Sequence, residues 1–508
     1  MGRSQLVRWS ACFACLAALP ACSSSSHGGA KPTPDAGTAS MEGGVEAGAE
    51  AGGDAATRPD DTTASADRSK CTYERGAMPG ETLGPGTPIG DAIPIENIVV
   101  VMMENHSFDN YFSHLNEFAN RTDIESEPAG ASNPNSMGQP QPATHAPHLC
   151  TLDTDHSWAA THNEIDKGKM DGFFVANDGF MQSSLPATST DPALWSGARS
   201  LYWYDQTDIP YYYKLASTFA IADHYHCGVP GPTWPNRLYL YAATSFGLTA
   251  NVVLPDLSAY PFPGNNPASV LEELETNHVS WMMYSDSSLT SLNILYGAMD
   301  LKARFGRTVT GKIQDFTTAA QSGQLPAVSF VDPDLASEFS NGAGTDEHPP
   351  GDVQSGEQFV DGVVRALMGS PQWAHSALFL TWDEHGGFYD HVAPPAACKP
   401  DAIAPALSSG DTTAGGFDIE GVRVGMIVVS PYAKAAYAGH HQYDHASITR
   451  FIEAKFGLPA LTGRDANAEP PTDMFDFAAP AFATPPQIPP ATIDPAGLSY
   501  CTSTFGGM

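Results

Sequence analysis

The chain has 508 residues, of which 24 are Lys or Arg and 57 are Asp or Glu, so its formal net charge at pH 7 is −33. This acidic balance argues against nucleic acid or an anionic membrane surface as a partner, because both carry negative charge. Hydrophobic residues make up 42% of the chain, which excludes global disorder and is enough for one large or two medium domains.

The N-terminus has the pattern of an export signal. Arg3 and Arg8 precede a short apolar run, "ACFACLAALPAC", which is too short to span a bilayer. The letters "LPAC" resemble a bacterial lipobox, so residues 1–21 are predicted to be a lipoprotein-type signal peptide and Cys22 the lipidated residue. An ordinary cleaved signal is the alternative. We expect an exported protein that faces the periplasm or the cell surface and touches the membrane only through its lipid anchor.

A spacer is predicted to follow the signal. Residues 22–70 are rich in Gly, Ala, Ser, Thr and Asp, and no Phe, Trp, Tyr, Ile or Leu occurs between Ser23 and Lys70. Such a segment cannot bury a core and is expected to be a disordered linker. Residues 71–508 then form the folded domain. Five cysteines lie in it, and a bond between Cys71 and Cys501 would join its two ends.

Apolar runs in this domain alternate with helical patterns. The runs read as buried strands at residues 97–103, 280–285, 327–331, 377–382 and 423–430. Helices are predicted over 355–370 and 444–457, the second with Asp444 as its N-cap and Gly457 at its end. This alternation predicts an α/β fold with a central, mostly parallel sheet and helices on both faces.

Polar side chains follow several of these strands directly. Glu104 and Asn105 come after the first strand, and Asp383 and Glu384 come after the strand at 377–382. Ligands bind outside the carboxyl ends of strands in such sheets, and adjacent carboxylates repel unless a cation or a proton lies between them. An Asp after a strand can also be only a turn or cap residue. Two acidic pairs favour a cation site at this edge.

Five segments occur in a characteristic order: "VVVMMENHSFDNYF", "DHSWAATHNEIDKGKMDGF", "ADHYHCGVPGPTWPNRLYLYAATS", "DEHPPGDVQSGEQFV" and "TWDEHGGFYDHVAPP". Together they resemble the bacterial phosphoesterase family of phosphatidylcholine-type phospholipases C and acid phosphatases. The resemblance covers roughly residues 95–460 and implies an alkaline-phosphatase-like fold.

The resemblance also implies a set of site residues. The expected metal ligands are Glu104, Asn105, Thr233, Asp383 and Glu384. Thr233 is also the expected nucleophile, and the histidines expected to hold the phosphate or to serve the leaving group are His156, His348 and His391. Asn236 and Asp390 fall in the same motifs and are expected to contact the substrate. The cofactor would be one or more divalent ions of the oxygen-ligand type, such as Mg, Ca, Mn or Fe.

The chemistry of these residues agrees with that assignment. A threonine hydroxyl is a weak nucleophile unless a base or a metal activates it. In "VPGPTWPN", Gly231, Pro232 and Pro235 are expected to form a fixed turn that places Thr233 at a helix start, with the helix amides aimed at a phosphate. The predicted function is therefore a metal-dependent phosphoesterase that acts on a phosphate ester or a phospholipid.

Two alternative functions are less consistent with the sequence. A non-catalytic surface lipoprotein that retains the fold for binding is the alternative from another class, although the retained threonine argues against it. A sulfatase would need a "CxPxR" motif, which the sequence lacks.

Overall fold

The computed structural model describes residues 58–186, 189–251, 269–285, 287–297, 300–336 and 344–506. The predicted signal peptide, Cys22 and the predicted spacer as far as residue 57 lie outside the described residues. The described residues belong to one compact unit, Ala56–Met508.

The strands of the described residues include one for each of the five predicted apolar runs and others that the sequence did not predict. They are β1 (Asn97–Met103), β2 (Ser132–Pro134), β3 (Pro140–Pro142), β4 (Thr144–His145), β5 (Tyr202–Trp203), β6 (Ala220–Ala222), β7 (Trp281–Tyr284), β8 (Thr310–Gly311), β9 (Val328–Val331), β10 (Ser376–Trp382), β11 (Met426–Val429) and β12 (Tyr437–Gly439).

Eight of these strands form the central sheet, in the order β12-β6-β11-β10-β1-β9-β7-β8. All neighbouring strands run parallel except that β11 runs antiparallel to both β10 and β6. The mostly parallel sheet is therefore confirmed. The strand predicted over 423–430 has the opposite direction, so its N-terminal end lies beside the carboxyl ends of the others.

The α-helices are α1 (Asp61–Ser69), α2 (Pro79–Thr82), α3 (Phe108–Phe112), α4 (Leu115–Ala119), α5 (Trp158–Ile165), α6 (Phe173–Asn177), α7 (Pro210–Thr218), α8 (Thr233–Ala242), α9 (Val270–Thr276), α10 (Ser291–Tyr296), α11 (Leu301–Phe305), α12 (Ile313–Ser322), α13 (Val353–Met368), α14 (His445–Phe456), α15 (Gly463–Ala466) and α16 (Pro495–Phe505). Asp444 caps α14 and Gly457 ends it with φ 65°, as predicted. None of the helices in the described part of the chain has both the length and the apolar character needed to cross a bilayer.

Both faces of the sheet are covered. Every residue of β1 and β10 is buried, and alternate side chains of a strand point to opposite faces. The covering helices pack in two groups: α8 contacts α9, α10 and α14, whereas α13 contacts α7 and α12. This arrangement accounts for strands that are apolar at every position and not only at every second one.

The folded unit begins earlier than predicted. Residues 58–70, assigned to the spacer, contain α1 and pack against the domain. Arg58 donates to the carbonyl oxygen of Leu83 at 3.1 Å, and Arg68 donates to that of Thr82 at 2.7 Å. The spacer boundary was wrong because arginine bonds to backbone carbonyls, and not aromatic or large aliphatic side chains, attach this segment.

Two disulfides join distant parts of the domain. Cys71 bonds to Cys398 and Cys150 bonds to Cys501, while Cys227 is free and buried. The expected pair Cys71–Cys501 is therefore wrong. Each end of the domain is instead attached to an interior segment.

A buried carboxyl group lies among aromatic side chains below the carboxyl end of β10. Glu347 accepts hydrogen bonds from the indole of Trp382 at 2.7 Å, from the hydroxyl of Tyr111 at 3.1 Å and from the hydroxyl of Tyr212. Burial raises the pKa of Glu347 from 4.5 to about 8, although these three hydrogen bonds oppose the shift. The folded state therefore binds this proton more tightly than the unfolded state does.

We predict that Glu347→Gln makes the stability of the protein less dependent on pH. The stabilisation of the folded state by the Glu347 proton is fully present below pH 4.5. It is lost as the pH rises through about 8, because the carboxyl group of the unfolded chain releases its proton at lower pH than that of the folded chain. The variant keeps a neutral side chain at every pH, so its Tm should rise relative to wild type between pH 5 and pH 8. The exposed Glu96→Gln is the control. A Tm difference between E347Q and wild type that stays constant across this range contradicts the prediction.

Candidate active site

The two predicted acidic pairs meet at the carboxyl edge of the sheet. β1 and β10 are adjacent and parallel, with Met103 opposite Trp382, so the residues that follow them are neighbours. The backbone N–H of Asn105 donates to Asp383 Oδ1 at 3.3 Å. Asn105 has φ 66°, a left-handed conformation that Asn adopts more readily than most residues. The predicted ligand set is thus brought together by strand pairing.

Arg237 lies in the middle of this edge. Its guanidinium donates to three carboxylates: to Asp383 Oδ2 at 3.0 Å, to Glu104 Oε1 at 3.2 Å and to Asp332 Oδ1 at 3.4 Å. It also donates to the last carbonyl oxygen of β1, that of Met103, at 3.2 Å. The side chain is fully buried. Burial opposes its charge, but the carboxylates outweigh burial and raise the pKa of Arg237.

The cluster keeps an excess of oxygen atoms despite Arg237. Among the described residues, three buried oxygens of this cluster accept no hydrogen bond: Glu104 Oε2, Asn105 Oδ1 and Glu384 Oε1. Burying such atoms without a partner is costly, and hard oxygen atoms are the ligands that Mg²⁺, Ca²⁺ and Mn²⁺ prefer. Three of the predicted ligands therefore have the orphaned atoms that a cation would satisfy, and the residues fit a divalent metal.

Two of the predicted histidines lie beside the cluster. His156 Nε2 is 3.8 Å from Glu384 Oε1, and the ring of His156 is 5.7 Å from that of His348. Burial disfavours the charged form of His348, but the carboxylates of Asp153, Glu104 and Asp346 outweigh it and raise the pKa of His348 to about 9. These carboxylates therefore favour the charged form of the His348 imidazole.

Thr233 begins α8, and Arg237 follows it on the same helix. Residues four apart share one face of a helix, so Thr233 lies one turn from the guanidinium that enters the cluster. Thr233 is 4% exposed. The preceding residue, Pro232, and His156 line one cavity of about 580 Å³. The residue before α8 and His156, which lies beside the acidic cluster, therefore face the same cavity.

The wall of this cavity is acidic and partly aromatic. Its lining includes Asp153, Asp155 and Asp411, together with Trp158 and Phe180. Oδ1 of Asp153 is buried and accepts no hydrogen bond from the described residues. Three carboxyl groups therefore line this cavity.

Asn236 holds the turn before Thr233. Its Oδ1 accepts from the backbone of Val229 at 2.9 Å, and its Nδ2 donates to the carbonyls of Gly231 at 2.8 Å and Pro232 at 3.1 Å. These bonds use both ends of the carboxamide, which is fully buried. They give Asn236 a role in shaping the turn, and its expected contact with substrate stays a prediction.

The N-terminus of α8 offers fewer free amides than expected. The backbone N–H of Trp234 donates to Asn251 Oδ1 at 2.8 Å, and Pro235 has no N–H. The expectation that the first turn presents several amides to a phosphate is therefore wrong. Pro235 has no amide hydrogen, and the amide of Trp234 already donates to Asn251, so neither residue offers a backbone donor to a phosphate.

Asp390 and His391 belong to a second buried cluster. His391 Nδ1 is 2.6 Å from Asp109 Oδ2, and Arg423 donates to Asp109 at 2.8 Å and to both oxygens of Asp390 at 3.1 Å. Asp109, Asp390 and His391 bring potential metal-ligating atoms within 4.8 Å of one another, as do His145, Asp205 and Asp208 elsewhere. Arg423 already neutralises the buried acids of the second cluster. The roles expected for Asp390 and His391 at the phosphate remain predictions.

Two glycines allow the loop after β10 to approach the cluster. Gly386 has φ 64°, and a Cβ there would lie 2.3 Å from the carbonyl oxygen of Asn105. Gly387 has φ 74°, and its Cβ would lie 2.8 Å from the carbonyl oxygen of Asp155. The two glycines of "HGG" therefore permit a close approach between backbone segments, which brings the segments of Asn105, His156 and Glu384 together.

Several residues of the site were missed from the sequence. Arg237 lies in the same motif as Thr233, and Asp332 directly follows the strand predicted over 327–331, but the sequence alone assigns neither residue a role. Asp153 and Asp346 had no assigned role. Asp153 and Asp346 lie beside the predicted histidines, in "DTDHSW" and "DEHPP", and this proximity is the only signal that the sequence offered.

Comparisons with known proteins find relatives that cover most of the chain. The model of the Phosphoesterase family matches residues 95–459. Phospholipase C B of Mycobacterium tuberculosis is 31% identical over 455 residues, covering 80% of this chain and 82% of its own. Non-specific phospholipase C1 of Arabidopsis thaliana is 30% identical over 397 residues, covering 73% and 69%.

Among solved structures, a protein in the alkaline phosphatase superfamily from Vibrio parahaemolyticus superposes with a TM-score of 0.30 at 7% identity. It covers 71% of this chain and 78% of its own. A superposition this loose supports no conclusion about the present site.

We predict that Gly386→Ala destabilises the protein by about 2 kcal/mol or more, because alanine at this φ is strained and its Cβ meets the Asn105 carbonyl. Denaturant unfolding measures the change. Gly362→Ala in α13 is the matched control: a Cβ there has nothing within 4 Å, so the variant should be neutral or slightly stabilised. Equal stability of G386A and wild type contradicts the proposed close approach.

Proposed function

The chain belongs to the Phosphoesterase family and is a hydrolase of phosphoric ester bonds, and from that premise we propose that it is an exported, metal-dependent phospholipase C. Thr233 is its nucleophile in this proposal. The observation that carries it is the set of buried, unpartnered oxygens of Glu104, Asn105 and Glu384 at the sheet edge that Arg237 enters, because Arg237 follows Thr233 by one helical turn of α8.

The proposed metal site consists of Glu104, Asn105, Asp383, Glu384 and Thr233. A divalent ion bound there would supply Lewis-acid stabilisation of the charge on the phosphoryl oxygens. Strand pairing brings the Glu104 and Asp383 segments together, and Arg237 positions both carboxylates.

The protein side chains then divide the transfer into two steps. Thr233 gives its hydroxyl proton to water in the site and its Oγ1 forms a bond to phosphorus, while the bond from phosphorus to the alcohol oxygen breaks. His348, whose charged form the nearby carboxylates favour, gives a proton to the departing alcohol. Water then hydrolyses the phosphothreonine and restores Thr233. His156, beside Glu384, is suited to hold a phosphoryl oxygen.

The carboxyl groups that line the cavity favour a substrate whose head group is neutral or cationic. Asp153, Asp155 and Asp411 line it, and the whole chain carries a net charge of −33. Both features repel an additional anionic group and tolerate a zwitterionic phospholipid. The names of the relatives, all phospholipases C, support the same substrate class. A soluble phosphomonoester is the alternative within this reaction class.

Export and lipidation belong to the same proposal. The N-terminal pattern and the predicted lipidation of Cys22 support them. The two disulfide bonds of the domain also favour an oxidising compartment, because such bonds are rare in reducing ones.

We predict that Thr233→Ala lowers kcat about 10³-fold or more, because the covalent intermediate can no longer form. Turnover of p-nitrophenylphosphorylcholine and p-nitrophenyl phosphate should be measured with and without chelator. The diester should be the better substrate, and the chelator should abolish turnover. Thr244→Ala, a buried hydroxyl that bonds to Asp401 beyond the end of α8, is the control.

Three outcomes would contradict parts of this proposal. Full activity of T233A rules out the nucleophile. Turnover of the monoester alone identifies a phosphatase and not a phospholipase C. Metal binding without turnover of either substrate favours the non-catalytic lipoprotein.

A further inference from the structure

A buried histidine separates two buried carboxylates behind the acidic cluster. His385 Nε2 bonds to Glu164 Oε2 at 2.8 Å, and its Nδ1 lies 3.3 Å from Glu384 Oε2. The contact between His385 Nδ1 and Glu384 Oε2 does not have hydrogen-bond geometry, so it is a close charge contact. All three side chains are fully buried. The proposed metal ligand Glu384 is thus connected to Glu164 on α5.

The other oxygen of Glu164 is also held. Asn177 Nδ2 at the end of α6 donates to Glu164 Oε1 at 2.9 Å. Oδ1 of the same carboxamide accepts from the backbone of Asp155 at 2.6 Å, next to His156. Glu164 therefore lies between the loop that carries Glu384 and the loop that carries His156.

These contacts determine how Glu384 is oriented. Its Oε2 accepts from the backbone of Gly386 at 2.8 Å and faces His385. Its Oε1 is the oxygen that accepts no hydrogen bond from the described residues and that lies 3.8 Å from His156. Fixing Oε2 on the His385 side leaves Oε1 directed into the cluster.

We propose that Glu164 is a positioning residue for the metal site, acting on Glu384 through His385. This inference rests on the proposed function, because it needs the metal that Glu384 is expected to bind. Carboxylates that orient a ligating group from behind typically change metal affinity 10- to 100-fold when they are replaced. The sequence gives no sign of this role, since Glu164 lies eight residues beyond His156 within "DHSWAATHNEID".

A purely structural ion pair is the competing explanation. Buried ion pairs are weak evidence for stability, because desolvation offsets much of the attraction. The two explanations differ in what they predict. A structural pair changes the Tm of the metal-free protein, whereas a positioning residue changes metal affinity in a protein that is still folded.

The test is Mn²⁺ binding by isothermal titration calorimetry to the chelator-treated full-length protein. Glu164→Gln retains the size and polarity of the side chain but removes its charge, and its Kd for Mn²⁺ should be about 10- to 100-fold weaker than wild type. Glu357→Gln is the matched control: it is a fully buried glutamate in α13 that accepts from the backbone of Tyr212. Its Kd should equal that of wild type.

The outcomes separate this inference from the proposed function. Wild-type affinity in E164Q, or an equal loss in E357Q, overturns the role of Glu164 and leaves the metal site intact. Absence of Mn²⁺ binding in the wild type overturns both. If circular dichroism shows E164Q to be unfolded, Mn²⁺ binding is measured on Glu164→Asp. This variant keeps the charge but moves it away from His385. Its Kd should be about 3- to 10-fold weaker, and unchanged affinity overturns the inference.

Discussion

The buried guanidinium of Arg237 is the interaction on which the site depends. It bonds to acids that follow three adjacent strands, β1, β9 and β10, and so neutralises part of a charge that the sheet could not otherwise bury. The same side chain attaches α8 to the sheet edge. Because Thr233 lies one turn earlier on that helix, the ion pairs that stabilise the edge also place the nucleophile of the proposed reaction.

The surroundings of the two buried arginines differ in a way that supports the proposed position of the cation. Arg423 satisfies Asp109 and Asp390, and neither acid keeps a buried oxygen without a partner among the described residues. Arg237 faces a larger set of acids and leaves oxygens of Glu104 and Glu384 unpartnered. The Arg423 cluster therefore serves to hold the loops together, whereas the unpartnered oxygens of the Arg237 cluster support the proposed metal site.

Local sequence patterns were sufficient to predict much of this architecture. The apolar runs predicted the strands, and the rule that parallel strands place their carboxyl ends at one edge predicted the meeting of Glu104–Asn105 with Asp383–Glu384. Contacts between distant segments could not be read in the same way. The direction of β11, the pairing of Cys71 with Cys398 and the bonds of Arg58 and Arg68 each depend on packing across the domain. The role of Arg237 also emerges only when three strand ends are seen together.

The central claim is that the cluster around Arg237 binds a divalent cation next to Thr233. Anomalous scattering from crystals of the protein with bound Mn²⁺ tests this claim most directly. We expect an anomalous peak about 2.2 Å from oxygens of Glu104, Asn105, Asp383 and Glu384, with the Thr233 hydroxyl as a further ligand. A peak at Asp109, Asp390 and His391, with none beside Thr233, would contradict it.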